Sequence, residues 1–494
     1  MLRNRLVGAA VVVTLVGAVH AAPLSWNVGP GSEIGQMITG GDCRMVIIGD
    51  SISSKQSNTA SQSSMYWGVI RTWDPDRWVG VCTPSNSQFP TMQMWIPPAW
   101  AATVGIHGGG SYPATYGYSN FSPATYIDAL FQHSAVASNT SLYGTQLNLS
   151  GVWRNGPWFT DDEVGATFVL FRTPQSIPSL IAQGFRGGVG SVNSDPFDIT
   201  GQPQVIGVEA PRIPPGNSEA RFRIHSWGQH DESIQPDHFI ALTTRVYLPG
   251  VEGFQLDAIA IGGSRLRNHL SDGHYADEHL REYLRHTGNP NLIYIQLGAN
   301  DGIFTQRWHD DMIELIDRYD RISADNGAQP RFLLVPPYGT ENSIEQEVAL
   351  EMASGLFSIA FSGTTRVDPE RIGFVNLPRV IGGPIDQSLL LDTIHPRPSG
   401  ADFVAQKVWD TVTEGTCEAD ISGSSDPASP SFMVPDGVVD AEDFFTFLRL
   451  FADADPRADI TGSSSPTSPD FLVPDGVIDA EDFFAFLFLF AAGC

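Results

Sequence analysis

The chain has 494 residues, a formal net charge of −27 and 42% hydrophobic residues, enough to build two or three domains around a sizeable core. The acidic excess argues against nucleic acid and anionic membrane surfaces as partners.

Arg3 and Arg5 precede an apolar run over residues 6–19, which leads to a small-residue site at Val19-His20-Ala21. Residues 1–21 therefore read as a secretory signal peptide, too short for a typical membrane span. No other run of about 20 apolar residues follows, so a soluble, secreted or cell-surface protein with no membrane span is expected. The even set Cys43, Cys82, Cys417 and Cys494 favours disulfides in an exported chain. Of the three possible pairings, Cys43–Cys82 with Cys417–Cys494 is the expected one, because the second pair brackets one terminal module.

Residues 44–48 form a short apolar run consistent with a buried parallel strand, and it ends at Gly49-Asp50-Ser51. A serine at that strand-to-helix turn lies at the carboxyl end of a sheet, where open α/β folds place ligands. Residues 292–297 repeat the pattern and lead into Gly298-Ala299-Asn300-Asp301, which offers the Asn300 side-chain N–H at the same edge. Asp392-Thr393-Ile394-His395-Pro396 then supplies an imidazole with a carboxylate three residues before it, close enough for one turn to join them. A serine hydroxyl is a weak nucleophile until an imidazole takes its proton, and the imidazole must be held in one tautomer. The three motifs in this order supply nucleophile, oxyanion donor and oriented base.

These motifs resemble those of the SGNH hydrolases, the esterase superfamily also called GDSL, with Ile52 where Leu is more usual. The resemblance implies a flavodoxin-like three-layer α/β/α domain with Ser51, His395 and Asp392 as the triad. It also implies an oxyanion hole built from the Ser51 and Gly263 backbone N–H groups and the Asn300 side chain. Gly263 is preferred to Gly262 as the glycine after the strand at residues 254–261. No catalytic metal or redox cofactor is implied.

Spacing departs from that family. Ser51 and Gly263 are roughly 210 residues apart, where a few tens are usual. The expected organisation is an SGNH domain split into residues 22–73 and 254–416 around a β-rich insertion at 74–253. Within the insertion, residues 166–173, 220–227 and 239–248 read as strands, separated by turn clusters such as Pro214-Pro215-Gly216-Asn217. A β-sandwich or jelly roll fits that punctuation. It could wall a substrate cleft, bind carbohydrate through aromatic side chains, or serve as structure alone. His107-Gly108-Gly109-Gly110 resembles a lipase oxyanion loop, but the Gly-x-Ser-x-Gly elbow that reading needs is absent. His225, His230, Asp231, Asp237 and His238 match no standard zinc spacing and read as a solvated loop.

The acidic tail repeats itself. Residues 419–425 recur at 458–464 and residues 434–445 at 473–484, at a constant offset of 39. Each copy ends in an amphipathic helix rich in phenylalanine and leucine. Asp436-Gly437 with Asp440 and Asp443, and Asp475-Gly476 with Asp479 and Asp482, match the second half of a calcium loop. The pair resembles dockerins, duplicated calcium-loop modules that bind cohesin domains, over residues 417–494. The resemblance implies Asp420 and Asp459 as first ligands, structural Ca2+, and a cohesin-like protein partner. It departs in its long, proline-bearing first half and in ending on Asp rather than Glu. The apolar helix surface suggests a partner, or else packing onto the catalytic domain.

The expectation is a secreted SGNH-type serine esterase acting on carboxylic esters, with O-acyl groups on carbohydrate favoured because dockerin-like modules commonly accompany polysaccharide-degrading enzymes. An O-acyltransferase using the same triad, or a non-catalytic glycan-binding surface protein, are the alternatives.

Overall fold

Gly49 closes a central strand of the sheet, with a parallel neighbour on each side. The computed structural model describes residues 22–54, 62–73, 78–83, 141–142, 163–172, 180–186, 188–198, 204–216, 221–226, 240–260, 263–270, 277–415, 419–434, 439–465, 468, 471–472 and 475–492. The expected signal peptide, Cys417, Cys494, Asp436, Gly262, the His107–Gly110 loop and His230, Asp231, Asp237 and His238 lie outside these residues.

The first elements are β1 (Ser25–Trp26), α1 (Glu33–Gly40), β2 (Cys43–Gly49), α2 (Met65–Thr72) and β3 (Trp78–Thr83). A β-rich stretch follows: β4 (Ser141–Leu142), β5 (Gly165–Arg172), β6 (Leu180–Arg186), β7 (Gly190–Asn193), β8 (Gln204–Glu209), β9 (Arg221–Ser226) and β10 (Ile240–Tyr247). The chain then alternates through β11 (Phe254–Ala260), α3 (Asp277–His286), β12 (Leu292–Gln296), α4 (Gln306–Asp325), β13 (Arg331–Leu334), α5 (Ser343–Ser362) and β14 (Ile372–Val375). It ends with α6 (Leu377–Val380), α7 (Pro398–Thr413), α8 (Ala441–Ala452) and α9 (Ala480–Ala492).

Five strands, β14-β13-β12-β2-β11, lie side by side and all parallel. Numbered by appearance in the chain, this order is the 2-1-3-4-5 arrangement of doubly wound flavodoxin-like sheets. Strand β2 shows why helices cover both faces. Successive side chains point to opposite sides, so Met45 and Ile47 enter one core while Val46 and Ile48 enter the other. Helices α1, α2 and α7 fill the first with Ile34, Val69, Val404 and Val408. Helices α3, α4 and α5 fill the second with Leu280, Met312, Leu315 and Leu356. Thr305 and Asn342 cap α4 and α5 by accepting the N–H groups of Trp308 and Ile344.

The strands expected at 166–173, 220–227 and 239–248 correspond to β5, β9 and β10. Strands β5 and β10 join the central sheet, and β9 joins a second one. Strand β3 pairs parallel to β11, and β10, β5 and β8 follow antiparallel, so the central sheet grows to ten strands. An unpaired edge of β11 would expose a row of N–H and C=O groups, and β3 satisfies them. The short strands β4, β9, β6 and β7 form a second sheet.

Cys43 and Cys82 are not joined in a disulfide; both are buried thiols. Cys43 is on β2 and Cys82 on β3, with β11 between them. Two strand spacings are about 9.5 Å, beyond the Cα separation of about 4.4–6.8 Å that a disulfide bridges.

Helices α8 and α9 pack on each other through Phe447 and Phe486, whose stacked ring centroids are 3.9 Å apart. Phe488 leaves that pair and stacks on Trp26 at 5.7 Å, edge-on to Phe361 at 5.1 Å. Part of the apolar surplus of the tail is therefore spent on the α/β domain, while Phe445 and Phe484 stay exposed. Among the described residues no helix is long and apolar enough to cross a membrane.

Candidate active site

Register places the site. Gly49 at the end of β2 pairs with Ala260 of β11 on one side and Gln296 of β12 on the other. Three neighbouring strands thus end at one level, and the residues just beyond them are Ser51, Gly263 and Asn300. The chain leaves β2 for β11 on one side and then crosses to β12 on the other. That reversal creates the crevice where open α/β sheets bind ligands.

The turn carrying Ser51 is braced on several sides. Asp50 Oδ1 accepts the Ile52 N–H at 3.0 Å. The Ser53 hydroxyl donates to Gln296 Oε1 at 2.9 Å, which ties the turn to β12. A Cβ on Gly49 would lie 2.5 Å from that of Ser53, so only glycine lets the chain turn so closely.

Asp392 and His395 come from the loop after β14, just ahead of α7. His395 Nδ1 lies 2.8 Å from Asp392 Oδ2, and His395 Nε2 lies 3.0 Å from Ser51 Oγ. With the Nδ1 proton held by the carboxylate, Nε2 is left to take the serine proton. Asp392 Oδ1 also accepts the backbone N–H groups of Ile394 at 2.9 Å and His395 at 2.8 Å. Burial works to raise the Asp392 pKa, but these two N–H groups and the His395 ring outweigh it and hold the pKa at about 2. The loop is fixed from outside by the Tyr338 hydroxyl, which donates to Ile394 O, and by the Ser63 N–H, which donates to Pro396 O at 2.9 Å. Arg71 of α2 links Ser63 Oγ at 2.9 Å to Asp402 of α7 at 2.6 Å.

Asn300 Nδ2 is buried with no acceptor at ordinary hydrogen-bond distance, though its amide is close enough to Asp50 to favour the ionised carboxylate. A buried donor without a partner is uncommon in a folded protein and is what an oxyanion hole keeps in reserve. Gly263 adopts φ +76°, a left-handed conformation that favours glycine and turns the chain at the end of β11. The expected triad, Ser51, Asp392 and His395, is therefore assembled, with Gly263 and Asn300 on the two flanking strand ends.

Asp50, beside Ser51, is fully buried, and its carboxyl is pushed up to about 7. Burial is the main cause and the charge of Asp301 adds to it, while the Ile52 N–H and the nearby Asn300 amide oppose. Sequence reasoning treated Asp50 only as part of a motif and passed over Gln296 and Tyr338. Gln296 and Tyr338 carry no spacing signal, since each acts through a contact between distant segments.

The tail aspartates organise the backbone of their repeats. Asp443 Oδ1 accepts the N–H groups of Ile421 and Ser422 at 2.7 and 2.8 Å, and Oδ2 accepts that of its own helix cap, Asp440, at 2.9 Å. Asp482 repeats this with Ile460, Thr461 and Asp479 at 2.7, 2.9 and 2.9 Å. Both carboxylates are fully buried, and each closes its repeat into a loop. Asp459 accepts the N–H groups of Asp475 at 3.1 Å and Gly476 at 2.8 Å, and Asp479 accepts that of Glu481 at 2.8 Å. Among the described residues no three carboxylate, thiol or imidazole side chains gather as metal ligands. These carboxylates accept backbone N–H groups as placed, and Asp436 of the expected ligand set lies outside the described residues. His225 lies on β9.

No family model and no curated protein matches the chain. Solved structures similar to it include a peptidoglycan O-acetylesterase, 12% identical over 78% of this chain and 97% of that one, with a TM-score of 0.44. A family two carbohydrate esterase from Clostridium thermocellum in complex with cellohexaose is 12% identical over 51% of this chain and 90% of that one, at 0.25. An acetyl xylan esterase from Butyrivibrio proteoclasticus is 9% identical over 51% and 86%, at 0.23. These are distant likenesses, and the functional reading rests on the site's own geometry.

Two outcomes are expected. Asp50 keeps its proton in the folded chain up to about pH 7, whereas the unfolded chain releases it near 3.8. Its contribution is therefore fully present below about pH 4 and lost as pH rises to about 7. Denaturant titrations should show the parent losing about 2–4 kcal/mol relative to Asp50→Asn across that window; parallel stability curves would contradict the burial account. Asp482→Ala removes three backbone hydrogen bonds from a buried carboxylate and should cost the C-terminal helices about 2–5 kcal/mol. Melting in excess chelator measures it, and an unchanged melt would show that the carboxylate does not close the repeat.

Proposed function

We propose that this chain is an exported serine esterase of the SGNH type, acting on carboxylic esters and, as its substrate class, on O-acyl groups carried by carbohydrate. The observation that carries the ester chemistry is the Ser51–His395–Asp392 relay at 3.0 and 2.8 Å, beside the unused Asn300 donor. Ser51 Oγ attacks the ester carbonyl as His395 Nε2 takes its proton. The developing oxyanion is met by Asn300 Nδ2 and the backbone N–H groups of Ser51 and Gly263. His395 then gives the proton to the departing alcohol, leaving an acyl-Ser51. Water, deprotonated by the same imidazole, attacks the acyl carbonyl and frees the acid and Ser51.

Access to the relay supports a large alcohol. The side chains of His395 and Asp392 are 28% and 51% exposed, so the relay opens to solvent and the alcohol half of an ester can extend outward. The carbohydrate class follows the resemblance of the C-terminal repeats to modules that accompany polysaccharide-degrading enzymes. On the same resemblance, those repeats would attach the enzyme to a cohesin-like partner.

Aryl acetates and acetylated xylan are the first substrates to offer, with a free sugar present as competing acceptor. Free acetate should account for the ester consumed. Ser51→Ala should lower kcat by about 10⁴-fold or more, and Asn300→Ala by about 10²–10³-fold. Acylated sugar in place of free acid would convert the reading to an acyltransferase. A rate that survives Ser51→Ala would remove it.

A further inference from the structure

A second serine–histidine contact lies beneath the first, and the relay above does not use it. Ser264 follows Gly263 and is fully buried. Its hydroxyl donates to the carbonyl of Gly49 at 3.3 Å, at the end of the strand that carries Ser51. The same oxygen lies 3.1 Å from Nε2 of His269, which is also buried. The His269 ring also hydrogen-bonds the Gly49 carbonyl, so Ser264 and His269 both hold that one strand-end oxygen while touching each other. Burial first, and then the Arg318 charge, push the His269 pKa down to about 3, so the ring stays neutral at working pH and holds only one N–H proton.

The segment holding this pair is tied to β2, the β12 loop and two helices. The His269 carbonyl accepts Nη1 of Arg318 from α4, and Arg318 Nε donates to Asp277 of α3 at 2.8 Å. Asp277 also pairs with Arg321 at 2.7 Å. The Leu266 N–H donates to Asp301 Oδ2 at 3.2 Å, beside Asn300. A loop of glycine in the left-handed region would otherwise move freely after β11. Here it is pinned to β2 through Ser264, to the β12 loop through Asp301, and to α3 and α4 through Arg318.

We propose that Ser264 and His269 are positioning residues of the oxyanion hole, holding the Gly263 N–H in fixed register with the turn that carries Ser51. They touch no reacting atom. Their effect is on where a backbone donor sits when the tetrahedral intermediate forms, so it falls on kcat and spares KM. The proposal rests on the esterase reading of the site.

The experiment compares steady-state ester hydrolysis and fluorophosphonate labelling of the parent, Ser264→Ala, His269→Ala and His269→Gln, with a thermal melt of each. Glutamine offers an N–H near the position of Nε2 and serves as the rescue variant. Ser264→Ala and His269→Ala should lower kcat by about 10–100-fold at unchanged KM, the scale of a donor misplaced by about 1 Å. His269→Gln should recover most of that loss. Parent-like kcat in folded Ser264→Ala and His269→Ala would overturn the positioning role while leaving the esterase intact. Equal losses in His269→Ala and His269→Gln, following their melting temperatures, would reduce the pair to structural packing and also overturn it. A parent that neither turns over ester nor takes up the phosphonate would instead overturn the esterase reading, and this role with it.

Discussion

The parallel pairing of β2 with β11 on one side and β12 on the other is the constraint on which the site depends. Because Gly49 is level with both Ala260 and Gln296, the next few residues of each strand emerge together. Ser51, Gly263 and Asn300 come from segments far apart in the chain, and hydrogen-bond register alone brings them to one crevice. A slip of one residue in β2 would turn Met45 and Ile47 into the wrong core and Val46 and Ile48 out of theirs. The apolar alternation that builds the two cores therefore also holds Ser51 in place.

The base reaches this crevice by a separate route. Its loop follows the edge of the parallel core and is secured by Tyr338, Ser63 and the Arg71–Asp402 pair. The two aspartates of the site have opposite surroundings. Asp392 is half exposed and surrounded by donors, and stays ionised down to about pH 2. Asp50 is sealed beneath the nucleophile and retains its proton toward neutrality. Environment divides the labour: one carboxylate orients an imidazole, the other shapes a turn.

How much was legible depended on whether the signal was local. Ser51, Asn300 and the Asp392–His395 pair stood out because a short strand, a glycine and a polar residue are read within ten positions. The strands at residues 166–173, 220–227 and 239–248 were legible for the same reason, but their partners were not, because β10 and β5 extend the central sheet beyond β3 and β9 joins a second sheet, all through long-range pairings. The Cys43–Cys82 bond failed on that point: sequence shows an even cysteine count, but not the strand that separates two of them. In the tail, the repeat was visible and the role of its last aspartate was not. Asp443 and Asp482 sit where a calcium ligand would, yet they accept backbone N–H groups from 21 and 22 residues earlier. Ser264 and His269 gave no sequence signal, since their meaning comes from the Gly49 carbonyl of another strand.

The central claim is that Ser51 is an activated nucleophile, and covalent capture tests it without assuming a substrate. The full chain and Ser51→Ala would be treated with a fluorophosphonate, digested and mapped by mass spectrometry. The account predicts a single phosphonate adduct on the Ser51 peptide, absent from Ser51→Ala and slowed in Asn300→Ala. Folded protein that takes up no adduct, or takes it up on another serine, would contradict it.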